Sequence, residues 1–188
     1  MRTSVPEGGA GQSFSEWPGA ERGSYLMPFT PTKLAQAKEI IGRYPVAKSA
    51  ILPLLHLAQD QDGWVTPEAM VEIAAILELT PVQVLGVCSF YTMFKREPVG
   101  RLVVSVCTNV SCLVNGGPEL FGSLRDRYLD DDDVHVEEVE CLAACDLAPV
   151  LQVNYEFHGP VTPDAAAGTI EAYKRGELEP RTVSGSRT

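Results

Sequence analysis

Two stretches decide the fold of this 188-residue chain: LVVSVCTNVSC at residues 102–112 and VHVEEVECLAAC at residues 134–145. Each begins with a short run in which β-branched residues recur, as is typical of a strand. Each then ends in a pair of cysteines, with four residues between the cysteines of the first pair and three between those of the second. Both pairs therefore begin where a predicted strand ends.

The residues around these stretches predict a small sheet accompanied by helices. Between the two strands, a helix is expected from Gly116-Gly117-Pro118 to Leu129, and further strands are expected at Val150–Val153 and Tyr155–His158. A last helix starts at Thr162-Pro163 and runs to about Arg175. A strand–helix–strand unit favours parallel pairing of its strands, with a right-handed crossover. This order of elements is that of a thioredoxin-like core.

The preceding part of the chain, from about Thr30 to Phe94, predicts three or four short helices packed on one another. Thr-Pro pairs begin at Thr30, Thr66 and Thr80. Such a pair signals a helix start, because Thr accepts hydrogen bonds from the free N–H groups of the first turn and Pro has none to satisfy. Apolar residues with helical spacing follow. They are Leu34, Ala37, Ile41 and Tyr44, then Ala47, Ala50, Ile51, Leu54, Leu55 and Ala58, and then Met70, Ile73, Ala74 and Leu77.

The change of pattern at Glu97-Pro98-Val99-Gly100 divides the chain into domains. We predict an α+β fold, in which an N-terminal small helical bundle is followed by a thioredoxin-like α/β domain. The predicted divisions are a disordered or extended arm at 1–29, the bundle at 30–96, the α/β domain at 97–178 and a flexible tail at 179–188.

Charge and composition argue against several classes of function. The chain has 15 Lys and Arg against 25 Asp and Glu, for a net charge of −10, and it has no basic stripe. Nucleic-acid binding is therefore not expected. The apolar stretch Leu77–Phe94 is interrupted by polar residues, so no membrane span is expected. Residues 1–24 lack the apolar core of a secretory signal, and we expect a cytoplasmic protein.

The four paired cysteines indicate a metal centre. They are Cys107 and Cys112, then Cys141 and Cys145. If their strands are neighbours, the four thiols converge, as an iron–sulfur cluster or a structural zinc requires. Both spacings exceed the two residues that are usual for zinc ribbons and for thiol–disulfide exchange, which favours a larger inorganic core. A zinc-stabilised interaction module and a thioredoxin-like reductase remain alternatives.

The surroundings of these thiols suit a cluster with negative charge. The residues near the second pair are small and apolar, among them Leu142, Ala143, Ala144, Leu147 and Ala148. Such a shell excludes water and lets backbone N–H groups approach sulfur. The helix that starts near Gly117 is expected to direct its positive end towards the site.

The sequence resembles the thioredoxin-like [2Fe–2S] subunit of NADH:quinone oxidoreductase, or respiratory complex I. The resemblance covers about Tyr44 to Gly176. It is carried by Gly63-Trp64-Val65, by Val87–Phe94 with the sequence VCSFYTMF, by the first cysteine pair, and by Val139–Cys145 followed by Ala148-Pro149. Related subunits occur in NAD-linked hydrogenases and formate dehydrogenases.

The resemblance implies a cofactor, its ligands and a partner. The cofactor would be one [2Fe–2S] cluster, with Cys107, Cys112, Cys141 and Cys145 as its ligands. The chain would be an electron-transfer subunit of an oxidoreductase, with no complete active site of its own. It would exchange electrons with the flavin of a larger NADH-binding subunit, beside other peripheral-arm subunits. Its place would be the cytoplasmic face of the bacterial inner membrane, reached through the complex.

Other residues with chemical potential are assigned to structure. Cys88 falls outside the ligand pattern and is expected to be a core thiol on a helix. His56, His135 and His158 are scattered over different elements, so a Rieske-type centre, which needs two histidine ligands, is not favoured. The aromatic segment Phe90–Phe94 suits either core packing or contact with a partner.

Overall fold

Four helices begin at a Thr-Pro pair, as the sequence predicts. The structure is a computed structural model that describes residues 28–180. The hydroxyl oxygens of Thr30, Thr66, Thr80 and Thr162 each accept a hydrogen bond from the backbone N–H three residues later. At Thr80, the side chain of Gln83 also accepts from the threonine N–H, which completes a capping box. The local sequence therefore fixes where these helices start.

The first half of the described residues forms a helical bundle. It consists of α1 (Pro31–Gly42), α2 (Ile51–Asp62), α3 (Pro67–Ile76) and α4 (Pro81–Phe90), with a 3₁₀ turn at Ala47–Ala50 before α2. Pro53 lies in the first turn of α2, where a missing N–H is tolerated. Gly63 ends α2 with a φ of +79°, a conformation that glycine adopts without strain. The core contains buried apolar side chains from all four helices, including Ala37, Leu54, Leu55, Ile73 and Val84.

Two details of the bundle differ from the prediction. Phe29, which was assigned to the arm, is buried in the bundle core, and its backbone N–H donates to Glu72 Oε2 at 2.8 Å. The packed region therefore includes Phe29. Tyr44, which was assigned to the first apolar stripe, is 40% exposed, because α1 ends at Gly42. Residues 1–27 of the predicted arm and residues 181–188 of the predicted tail lie outside the described residues.

The second half of the described residues forms a four-stranded sheet with helices. Its strands are β1 (Leu102–Cys107), β2 (Val134–Val139), β3 (Leu151–Val153) and β4 (Glu156–His158), in the order β2-β1-β3-β4. Its helices are α5 (Val110–Val114), α6 (Gly117–Arg127) and α7 (Pro163–Lys174). β1 is parallel to β2 and antiparallel to β3, and β3 is antiparallel to β4. The predicted strands and the parallel strand–helix–strand unit are confirmed, and α5 was not predicted.

The two faces of the sheet have different surroundings. On one face, Val104 and Val106 of β1 pack in a core with Leu120, Leu124 and Ile170 from α6 and α7. The opposite face carries Ser105, which pairs in register with Glu137 of β2 and Gln152 of β3. This polar face borders a cavity of 1230 Å³ whose other wall is formed by the helical bundle. The bundle therefore lies on the face of the sheet opposite to that covered by α6 and α7.

A tight turn joins β3 to β4 at the predicted position. Asn154 and Tyr155 have positive φ angles of 43° and 85°, as in the turns that match the twist of a hairpin. The Asn154 side chain accepts from the Val103 N–H at 2.8 Å and donates to the Arg101 carbonyl at 3.1 Å. The turn is thereby fixed to β1.

Two residues of the acidic run Asp130–Asp133 form ion pairs with other parts of the fold. Asp131 forms an ion pair with Lys174 at the end of α7, and the Asp133 carboxylate pairs with Arg101 at 2.8 Å. These ion pairs tie the entry of β2 to α7 and to the residue before β1.

No single helix in residues 28–180 has both the length and the apolar character to cross a membrane. Within these residues, α3 and α4 meet both criteria only when they are counted as one segment, and the two helices are bent by 119° relative to each other.

Candidate metal centre

The parallel pairing of β1 and β2 brings the two cysteine loops to one edge of the sheet. Cys107 is the last residue of β1 and lies opposite Val139, the last residue of β2. The ladder continues one step further, where the Thr108 N–H donates to the Val139 carbonyl at 3.3 Å. Cys141 follows two residues later. The strand ends therefore place both loops side by side, as the sequence predicts.

The first cysteine pair is held by regular structure. Cys107 ends a central strand, and Cys112 lies on α5, a single turn of helix that begins at Asn109. The Asn109 side chain accepts from the Val110 N–H at 2.7 Å, which caps the turn. Both cysteines are buried, with exposures of 4% for Cys107 and 1% for Cys112. The other α5 side chains, Val110 and Leu113 among them, face solvent.

The second cysteine pair lies in an open loop. Cys141 and Cys145 are both exposed, and Cys145 begins the 3₁₀ turn Cys145–Leu147. Between them, Ala143 has a φ of +56°, a left-handed conformation that is uncommon for a residue with a Cβ. This turn directs the Ala143 N–H to the Cys141 sulfur at 3.3 Å. The backbone strain therefore places a hydrogen-bond donor against a thiol.

Backbone N–H groups surround the sulfur atoms of the first pair as well. The N–H groups of Leu142 and Asn109 are hydrogen-bonded to the Cys107 thiol. The N–H of Val150 is hydrogen-bonded to the Cys112 thiol. Donors of this kind stabilise thiolates and the sulfur ligands of an iron–sulfur cluster. The site is therefore lined with backbone N–H groups whose positive ends face the sulfur atoms.

The net pKa shifts of the two buried thiols have opposite directions, although hydrogen-bond donors lower both pKa values. Burial raises the pKa of Cys107, but hydrogen bonds from Leu142, Asn109 and the neighbouring thiols outweigh burial, and the pKa lies below its ordinary value. Burial also raises the pKa of Cys112, and the adjacent Cys107 raises it further, so this pKa lies above its ordinary value although Val150 lowers it.

The thiols form a group around Cys107. The Cys112 and Cys141 thiols both influence the pKa of Cys107, and Cys145 acts electrostatically on the pKa of Cys112. Across the described part of the chain, however, no three Cys, His, Asp or Glu side chains converge as ligands of one metal ion.

The start of α6 packs directly against this site. A Cβ at Gly117 would lie 2.7 Å from the Cys107 carbonyl oxygen and 2.9 Å from that of Cys112. Such contacts leave room only for glycine. The predicted approach of a helix N-terminus to the site is therefore confirmed at the level of the backbone, and the positive end of α6 favours a negatively charged occupant.

The remaining shell is apolar. Val150 is buried with the first cysteine pair, and Leu142, Ala144, Leu147 and Ala148 pack around it, partly buried. The Ala148–Pro149 peptide bond beside this shell is cis. The four thiols, their N–H donors and the apolar surroundings together suit a [2Fe–2S] cluster.

The residues assigned to structure lie away from the thiol group. Cys88 is buried in the helical bundle, where burial raises the pKa of its thiol, and Arg96 lowers that pKa by a smaller amount. His56 stacks on Phe94, with ring centroids 4.8 Å apart. His158 Nε2 is 3.1 Å from the Tyr173 hydroxyl. The two ends of the aromatic segment Phe90–Phe94 differ in exposure, because Phe94 is buried whereas Phe90 faces solvent.

Sequence reasoning did not find the donors Asn109 and Val150. Asn109 carries the signal of a helix cap, but the turn that it caps contains two valines, which are weak helix formers. Val150 is separated from Cys112 by the whole of α6 and β2, so no local pattern links the two.

A family model for the thioredoxin-like [2Fe–2S] ferredoxins matches residues 37–174. The chain therefore belongs to the thioredoxin-like [2Fe–2S] ferredoxin family, and both the predicted cofactor and the predicted fold class are confirmed.

Two relatives are named as the E subunit of NADH-quinone oxidoreductase. The protein from Mycobacterium tuberculosis (strain ATCC 25618 / H37Rv) is 45% identical over 145 residues, which are 73% of this chain and 58% of that protein. The protein from Rickettsia bellii (strain RML369-C) is 35% identical over 153 residues, which are 76% of this chain and 92% of that protein. The chain thus spans less than two thirds of the mycobacterial relative and nearly all of the rickettsial one.

The fold also matches a solved structure. The crystal structure of an NAD⁺-reducing [NiFe]-hydrogenase in its H₂-reduced state has a TM-score of 0.58 and 20% identity, over 67% of this chain and 22% of that chain. At this identity, the match shows a shared fold.

Proposed function

We propose that Cys107, Cys112, Cys141 and Cys145 hold the [2Fe–2S] cluster and that the chain is an electron-transfer subunit. The observation that carries this proposal is the convergence of two cysteine loops at one sheet edge, with backbone N–H groups directed at the sulfur atoms. When bound, such a cluster takes up and releases single electrons.

The protein's own residues have three tasks in this function. The four cysteines provide thiolates, two from buried positions and two from an exposed loop. The N–H groups of Asn109, Leu142 and Val150 stabilise the negative charge on sulfur. The apolar shell and α6 keep water from the buried pair, and the exposed loop leaves the other side accessible to a redox partner.

The partner that we propose is a larger subunit that binds flavin and oxidises NADH, within an NADH:quinone oxidoreductase. The mycobacterial and rickettsial relatives, at 45% and 35% identity, support this assignment. In that setting, the chain would lie with other peripheral-arm subunits on the cytoplasmic face of the bacterial inner membrane. A place in an NAD-linked hydrogenase or a formate dehydrogenase is the alternative, and the fold shared with a hydrogenase is compatible with it.

The cluster assignment is tested by anaerobic reconstitution of the full chain. Two irons and two acid-labile sulfides per chain are expected, with visible absorbance that bleaches on addition of dithionite and an EPR signal from the reduced state. One zinc per chain, without colour, would instead identify the zinc-stabilised interaction module. A folded chain without iron after reconstitution would contradict the ligand assignment.

The partner assignment needs a separate experiment. The chain is purified with its native complex, and the co-purifying polypeptides are identified and assayed for flavin. NADH is then added, and reduction of the cluster is followed by EPR. Co-purification with a flavin-binding polypeptide and an EPR signal after NADH would support the proposal, whereas a complex without flavin would contradict it.

A further inference from the structure

A polar network connects the helical bundle to the two strands that carry the cysteine loops. Lys95, which follows α4, donates from Nζ to the Glu137 carboxylate on β2. The other oxygen of this carboxylate accepts from the Ser105 hydroxyl on β1 at 2.7 Å. Ser105 and Glu137 are register partners in the parallel ladder. One lysine of the bundle thus bridges both strands through a single carboxylate.

This network is buried enough to constrain the strands. The side chains of Lys95 and Glu137 are only 11% and 23% exposed, so water screens their attraction less than on an open surface. Ser105 is buried and has its hydroxyl satisfied by Glu137. Loss of the Lys95 charge would leave the partly buried Glu137 carboxylate with the Ser105 hydroxyl and with His135, whose Nε2 is 3.9 Å away, a less favourable state for the fold.

Lys95 itself is held on both sides by the bundle. Its backbone N–H donates to Gln59 Oε1 at 2.7 Å, and its carbonyl accepts from the Val65 N–H at 2.7 Å. The amide of Gln59 also donates to the Met93 carbonyl at 2.9 Å and to the Tyr155 hydroxyl at 3.3 Å. The backbone of Lys95 is therefore held in place by the bundle.

The network lies close to the proposed ligands along the chain and in space. Ser105 precedes Cys107 by two residues, and Glu137 precedes Val139, the register partner of Cys107, by two. Two residues of a strand span about 7 Å. Lys95, Ser105 and Glu137 also line the 1230 Å³ cavity that Cys141 and Leu142 border. A shift of β2 against β1 would therefore change the separation of the two cysteine loops.

We propose that Lys95 is a positioning residue for the [2Fe–2S] site, through which the helical bundle holds β1 and β2 in the register that the four thiols require. The inference rests on the proposed ligand set. It gives the bundle a role in the geometry of the site, although the bundle contributes no ligand. Lys95 acts through Glu137 and Ser105.

The test compares Lys95→Met with Lys174→Met in the full chain. Lys174→Met removes a second lysine–carboxylate pair, Lys174–Asp131, which involves α7 and the acidic turn and whose side chains are 29% and 23% exposed. Amide hydrogen exchange is measured without the cluster, and the EPR g values and reduction potential are measured after reconstitution. Lys95→Arg serves as the conservative rescue, and Ser105→Ala as a milder variant if Lys95→Met does not fold.

We expect Lys95→Met to raise the exchange rates of the Asn109 and Leu142 N–H groups at least tenfold and to shift the g values and potential of the reconstituted chain. Lys174→Met should change neither, and Lys95→Arg should restore both. The proposal is overturned if exchange in both cysteine loops, the g values and the potential of Lys95→Met match those of Lys174→Met. The exchange measurement does not require the cluster, so failure of the ligand assignment would be seen separately, as an absence of iron in the unmodified chain.

Discussion

Cys88 in the bundle and Cys107 in the sheet region are both almost fully buried, with exposures of 1% and 4%, but their surroundings differ. Around Cys88 the neighbours are apolar side chains, and burial raises the pKa of the thiol. Around Cys107 there are backbone N–H groups and two other thiols, and they lower its pKa despite burial. Burial alone therefore does not set the pKa of a cysteine thiol, because hydrogen-bond donors directed at the sulfur can outweigh it.

The largest expected effect comes from the four proposed ligands. Cys→Ser at position 107, 112, 141 or 145 should abolish the [2Fe–2S] absorbance or alter its shape, because serine oxygen is a poor substitute for thiolate on iron. The measurement is the visible and EPR spectrum after anaerobic reconstitution. An unchanged spectrum in any one of these variants would remove that residue from the ligand set.

A second large effect is expected at Gly117, in the sheet region. Gly117→Ala would place a methyl group 2.7 Å from the Cys107 carbonyl. We expect a loss of about 1–3 kcal/mol in the free energy of unfolding of the cluster-free chain and a lower yield of reconstituted cluster. Both are measured, by denaturant titration and by iron analysis.

Gly122→Ala is the matched control for that variant. Gly122 lies on the same helix, and nothing stands within 4 Å of its added Cβ. Alanine should raise the free energy of unfolding by about 1 kcal/mol through helix propensity, with full cluster yield. Equal losses in the two variants would show that α6 does not need to approach the cysteine backbone.

A smaller effect, confined to stability, is expected at Cys88 in the bundle. Cys88→Ser buries a hydroxyl among apolar side chains and should lower the free energy of unfolding by about 1–3 kcal/mol. The spectrum of the reconstituted cluster should remain the same. Loss of the cluster comparable to that in the ligand variants would remove the distinction between the two regions.

The smallest expected effect is a pH dependence that originates in the bundle. Glu72 is buried, its Oε1 has no hydrogen-bond partner, and burial raises the pKa of its carboxyl above the ordinary 4.5, although the Phe29 N–H lowers it in part. The folded chain then holds this proton more tightly than the unfolded chain. The contribution of Glu72 to the free energy of unfolding should therefore fall as the pH rises from about 4.5 through the pKa of the folded state, and stay constant above it.

Urea titrations of the native chain and of Glu72→Gln across this pH range measure that contribution. The difference in free energy of unfolding between the two chains should change in this window, while the cluster spectrum at neutral pH stays the same. A difference that is independent of pH would mean that the carboxyl of Glu72 titrates alike in the folded and unfolded chains.

Much of the fold could be predicted because its signals are local. Thr-Pro pairs start four helices, Gly63 ends α2, and the cysteine pairs follow the predicted strand ends. What could not be predicted depends on contacts between distant residues. Burial of Phe29 needs Glu72, and the link from Lys95 through Glu137 to Ser105 needs the helical bundle and the sheet in place.

The site itself was predicted in its residue types and only in part in its geometry. Spacing alone treats the two cysteine pairs alike, whereas one is buried and the other exposed. The difference arises from α5, whose single turn is formed by weak helix formers, and from the left-handed Ala143. Neither has a strong sequence signal, because both conformations are imposed by neighbouring structure.

The parallel pairing of β1 and β2 also sets an order of events during protein synthesis. A parallel pair needs a crossover, so the first two thiols are synthesised before α6 and β2. A nascent chain that ends before Cys145 offers an incomplete set of thiols. For the proposed ligand set, delivery of iron and sulfide would therefore follow the synthesis of β2 and of Cys145, and it would precede or accompany that of β3 and β4 only if two paired strands suffice to hold the thiols.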